Sequence, residues 1–256
     1  MPTDPLFYIV GLFAVFVMAV GRGAFGGGFA VLGVPVLALV VDPITASIIM
    51  APVASASDPF TIWAHPPRNW SWPDLIWLIP GMVIGLALGA MFFVWLDPRI
   101  VAVAIAVVTL WFVARWFLSG RPTPTPGSGS PVQPVKAVAC AAASGFTTFI
   151  AHAGNPPVAY YLLSRALPAS GYVGTLIATF LVANTVKLFM YGWLFRDRPE
   201  VFVMALTLMP ALPAGVWLGK RLHDRLDARR LYLLLYTLLG VTGLKLLVDS
   251  VLRLTA

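Results

Sequence analysis

The chain has 256 residues, of which 59% are hydrophobic and 11% charged, with a mean hydropathy of +0.88 and a formal net charge of +7. A soluble domain carries roughly 25% charged residues, so this composition excludes a soluble globular protein and points to an integral membrane protein with little extramembrane mass. In such a chain the positive balance reflects basic cytoplasmic loops, and nucleic-acid binding is not expected.

Ten hydrophobic elements follow in chain order, at 6–21, 24–41, 44–64, 75–96 and 99–118, then 137–151, 153–164, 171–195, 200–220 and 231–252. A bilayer-spanning helix needs about 20 mostly apolar residues. The N-terminus MPTDPLFYIV carries Asp4 and no basic residue before the first run. A secretory signal begins with a positive region, so 6–21 reads as a retained membrane segment. The second, sixth and seventh elements are short or interrupted by Gly and Pro. Between the fives runs SGRPTPTPGSGSPVQPV (119–135), whose prolines and small polar residues forbid a helix. The expected organisation is therefore a membrane repeat at 1–118, a linker at 119–136 and a second repeat at 137–256.

The two halves match. Pro80, Gly85, Gly89, Leu96, Asp97 and Arg99 align in one register with Pro210, Gly215, Gly219, Leu226, Asp227 and Arg229. A second register places Asp58 on Asn184 and Gly28 on Gly154. With the N-terminus outside and every element crossing, the outer segments hold only Arg99, Arg196, Arg198 and Arg253 of the seventeen basic residues. Lys187 and Lys245 lie within elements, and the rest fall inside, as the positive-inside rule favours. The predicted fold is an all-α polytopic membrane protein of two inverted repeats. Each has about five elements, giving 8–10 spans, with a Gly/Pro-broken hairpin that either spans or is re-entrant. Inverted repeats are common among secondary transporters.

The breaks mark the candidate site. Gly26, Gly27 and Gly28 in GRGAFGGGFAVLGVP (21–35) should unwind the chain at membrane depth, where non-helical backbone survives only if buried or lining a cavity. A helix that restarts after such a break aims its positive end at the gap, where an anion is favoured. Tight helix packing is the competing role for these glycines. The second break, GFTTFIAHAGNPPVAYYLL (145–163), holds His152, Gly154, Asn155, Pro156 and Pro157. Paired breaks in two repeats point to a midplane binding site. By contrast Gly81, Gly85 and Gly89 form a small stripe on one helix face, repeated by Ala211, Gly215 and Gly219, and read as packing.

Charges inside spans are functional candidates. Lys187 follows Asn184 by three residues on one helix face. The pair can orient an oxyanion, unless Lys187 snorkels toward Arg196. Asp58 has three readings: pairing with Lys187, carrying a coupling proton, or capping backbone near the cytoplasmic end. His152 donates to an anion, exchanges a proton near neutral pH, or holds freed carbonyls. His65 and His223 read as solvated loop residues, and Lys245 as an interior partner or a snorkeller. Trp63, Trp70, Trp72 and Trp77 read as an interfacial belt. Cys140 reads as a small buried residue, unable to form an intrachain disulfide.

The breaks and the segments after them resemble the sulfite exporter TauE/SafE family, also called the 4-toluene sulfonate uptake permeases. The resemblance rests on AFGGGF (24–29) with Pro35, on SGFTTFIAHAGNPPVAYYLL (144–163) and on GTLIATFLVANTVKLFMY (174–191). Asn155 and Ala24 stand where the family pattern has glycine. The resemblance implies membrane transport of sulfite, thiosulfate or organosulfonates; nothing in composition or spacing carries sulfur chemistry. The expected function is a secondary carrier working by alternating access around a midplane anion site. The alternatives are a passive anion channel and a carrier of a non-sulfur organic anion.

The expected ligands are Gly26, Gly27, Gly28, His152, Gly154, Asn155, Asn184 and Lys187, with Asp58 as the coupling or ion-pair candidate. The partners are a small anionic substrate and the lipid bilayer. A coupling proton or sodium ion and a homodimer stay open, and the cell membrane, as a bacterial inner membrane, is the expected location. Ser144, Gly145 and His152 raise an intramembrane serine hydrolase, but no oxyanion-hole motif or orienting acid accompanies them. An enzyme, a metal and a cofactor are therefore not expected.

Overall fold

The computed structural model describes residues 4–25, 32–64, 66–95, 98–118 and 131–225, with scattered positions between 237 and 252. Every regular element among these is helical. Gly26, Gly27, Gly28, His65 and most of the linker fall outside the described residues, as does the His223 side chain. The first half holds α1 (Pro5–Phe25), α2 (Gly33–Leu37), α3 (Pro43–Ala64), α4 (Trp72–Trp95) and α5 (Pro98–Leu118). The second holds α6 (Pro134–Ala151), α7 (Asn155–Ser164), α8 (Ala169–Leu194), α9 (Pro199–Leu208) and α10 (Ala211–Arg225).

Among the described residues three helices are long and apolar enough to cross a membrane, at Pro5–Gly23, Trp72–Phe93 and Ser170–Leu194. The α9–α10 pair, bent by 45°, makes a fourth if taken as one span. α3 has 22 residues, as many as a span needs. It stays outside that set while carrying Ser47, Ser55, Ser57, Asp58 and Thr61, side chains that lower hydropathy and build the site below. The element predicted at 200–220 is thus two helices, because Pro210 and Pro213 each remove a backbone donor within one turn. In α4 the lone Pro80 leaves the helix continuous.

Helices of the two halves exchange partners. α4 runs along α6, α10 runs along α1, and α3 faces α8. Small residues set these contacts. A side chain at Gly85 would collide with the Ala142 backbone, whose Cα would lie 2.8 Å from the new Cβ, and one at Gly145 would come within 2.8 Å of Leu86 N. Gly215 meets Ala19 and the Phe16 carbonyl of α1 in the same manner. These glycines pack helices, as close backbone approach requires. Gly85→Val is expected to lower the detergent-solubilised protein's melting temperature by roughly 2–10 °C, from an overpacking cost of about 1–3 kcal/mol. An unchanged melting curve would remove Gly85 from the contact.

Candidate functional site

The second break forms where α6 ends. His152 closes that helix with φ 52° and ψ 26°, a left-handed conformation uncommon outside glycine, and its N–H donates to the Thr148 carbonyl. The chain then restarts as α7. Gly154 is required there, since a Cβ would stand 2.5 Å from the Ser144 carbonyl oxygen and 2.7 Å from Thr148 Cβ. Ser144 ties the two helices together: its hydroxyl donates to the Gly154 carbonyl and accepts from Val158 N–H at 3.1 Å. Pro156 and Pro157 have no N–H, and Val158 N–H is already bound. Few donors remain at the start of α7, so the expectation that this helix end supplies the anion's ligands narrows to the backbone of Gly154 and Asn155. The Asn155 Oδ1 is buried without a hydrogen-bond partner.

Lys187 lies inside the protein, 1% exposed. Snorkelling is thereby ruled out, because a snorkelling ammonium reaches water. Its Nζ lies 3.3 Å from His152 Nδ1 and 3.4 Å from both the carbonyl and the hydroxyl of Thr148. All three acceptors are neutral and distant. His152 Nε2 contacts the Ser47 carbonyl at 3.2 Å. A carbonyl only accepts, so Nε2 carries the ring proton and Nδ1 offers its lone pair to Lys187. Among the described residues no carboxylate lies within ion-pair distance of Lys187. Below it Tyr191 donates to the Phe149 carbonyl at 2.5 Å, and the two rings stack at 4.6 Å. That contact fixes α8 against α6 and so sets Lys187 opposite Thr148.

Asp58 is taken by another residue. Arg22 Nη1 meets Asp58 Oδ1 at 2.8 Å, the Ala54 carbonyl at 2.8 Å and the Ser57 hydroxyl. Asn184 Nδ2 donates to both Asp58 oxygens at 3.0 Å. The predicted Asp58–Lys187 pair is therefore replaced by Arg22–Asp58–Asn184, with Lys187 within Coulombic reach of both Arg22 and Asp58. The capping role for Asp58 also falls away, since its carboxylate is spent on side chains. Arg22 was missed by sequence reasoning, which counted it among inside loop charges; it is 4% exposed, on the last turn of α1. A signal existed. The register of 126 residues that places Asp58 on Asn184 also places Arg22 on Thr148.

A separate cluster holds the ends of the hairpin. Asp74, fully buried in the first turn of α4, accepts from Arg165 Nε at 2.8 Å, Tyr161 Oη at 2.6 Å and Ser71 Oγ at 2.6 Å. It joins α7 to α4 by an ion pair buried on the acid side. Ser144 is bonded to Gly154 and Val158, and His152 to Ser47 and Lys187, so these two side chains are engaged separately.

Apolar helices enclosing a buried, charged cluster fit a multi-pass membrane protein. A family model described as sulfite exporter TauE/SafE matches residues 10–246. The chain belongs to that family, and so to the membrane transporters of sulfur anions. No curated protein and no solved structure matches it significantly.

Proposed function

We propose that the protein is a secondary carrier of sulfur oxyanions in a bacterial inner membrane. One observation carries the reading: a buried ammonium, Lys187, with only neutral acceptors around it and no ion-pair partner among the described residues. An isolated buried charge is costly unless something pairs with it, and a transported anion is that partner. His152 and Thr148 line the cation, with the Arg22–Asp58–Asn184 group as its neighbour. Gly154 and Asn155 supply backbone and amide groups from the second break, and Gly26, Gly27 and Gly28 are the ligand candidates of the first. Asp58 orders Arg22, and a proton or sodium ion is the coupling candidate. The partner exchange of α4 with α6 and α10 with α1 supports two inverted repeats rocking about this site by alternating access.

The test is ligand-induced stabilisation of the purified protein. Hydrogensulfite, thiosulfate or a short sulfonate at about 100 times its Kd should stabilise the fold by about 2.7 kcal/mol, raising the melting temperature by roughly 5–10 °C. Chloride should not. Equal melting in every anion would remove the sulfur-oxyanion reading.

A further inference from the structure

We infer that the site is built for a singly charged anion and that Asp58 sets this valence. The inference rests on the carrier reading above and narrows its substrate class. Among the described residues, the buried charged side chains at the site are Arg22, Asp58 and Lys187. Arg22 and Asp58 cancel at 2.8 Å, which leaves the single charge of Lys187. His152 adds no charge, since its Nδ1 accepts from the Lys187 ammonium and so carries no proton. Asp74 is answered by Arg165 and adds nothing. Residues 26–31 carry no ionisable side chain.

A monoanion therefore leaves the buried site neutral, whereas a dianion leaves one negative charge uncompensated at membrane depth. That penalty is large where water is excluded. Arg22 also has a spare donor. Arg22 spends one terminal nitrogen on Asp58, Ser57 and Ala54, while its Nε is buried with no partner. An oxyanion oxygen is the acceptor that completes it. Organosulfonates and hydrogensulfite fit these demands; thiosulfate and fully ionised sulfite do not.

Methanesulfonate and sulfate are close in shape and differ by one charge, so their affinities for the full-length protein in detergent separate valence from size. Wild type should bind methanesulfonate about tenfold or more tightly than sulfate. Asp58→Asn, assayed at saturating anion, should move that ratio about tenfold or more toward sulfate, because two cations now face the ligand. Asp58→Glu should keep the wild-type ratio. Tighter sulfate binding by wild type, or an unmoved ratio in folded Asp58→Asn, overturns the inference and leaves the carrier reading standing. If Asp58→Asn does not fold, the wild-type ratio alone decides. Binding of neither anion, nor of any other sulfur oxyanion, by folded protein overturns both.

Discussion

Lys187→Met is expected to abolish anion transport while leaving the protein as stable as wild type, or more so. Methionine keeps most of the stem that fills the space between α6 and α8 and deletes the charge. The hydrogen bonds it removes are long, at 3.3 and 3.4 Å, and go to neutral acceptors. Removing a buried charge that has no counter-ion relieves a desolvation cost, and cores made apolar in this way are often equal or better in stability. The bound anion, by contrast, loses its counter-charge in a dry site. Truncating one partner of such a pair costs about 2–5 kcal/mol, a fall of roughly 30-fold or more in affinity. Uptake into proteoliposomes and melting in detergent read the two halves of the claim. A structural lysine would give the opposite pattern, with a lower melting temperature and transport intact.

Arg22→Met carries the largest expected loss of stability. It strands Asp58, 5% exposed, without an ion-pair partner, leaving the Asn184 amide as its side-chain hydrogen-bond donor and Lys187 beyond contact distance. Breaking a buried ion pair from one side typically costs 3–5 kcal/mol, because the remaining charge is uncompensated. The Arg22→Met/Asp58→Asn double variant removes both charges and should recover most of that loss. Equilibrium unfolding of the three proteins measures the coupling directly. If the single and double variants unfold alike, the Arg22–Asp58 contact contributes nothing to stability. The double variant should still fail to transport, since Arg22 is gone.

Most helices, and the break after α6, were legible because apolar run length and Gly/Pro punctuation are local signals. The element read at 153–164 is the helix Asn155–Ser164, and that read at 171–195 is Ala169–Leu194. Lys187, Asn184, His152 and Asp58 could be chosen from sequence because a polar side chain in an apolar run is costly to bury and so is rarely incidental. Their pairing could not. Asp58 has two cations within reach, and the choice of Arg22, 36 residues away, is made by how α1 packs on α3. Arg22 itself lay at the end of an apolar run, where a loop cation and a buried one look the same. The bend between α9 and α10 was missed for a related reason. Pro210 aligned with Pro80, but only the second helix has Pro213 a turn later to complete the break.

Counterflow tests the central claim, that Lys187 holds a carried sulfur oxyanion, most directly. Proteoliposomes of wild type and Lys187→Met are loaded with an unlabelled short sulfonate or hydrogensulfite, and entry of the labelled anion is followed. Wild type should show a transient, saturable overshoot, and Lys187→Met should show none. An equal overshoot in Lys187→Met, or passive equilibration without overshoot in wild type, would contradict the account.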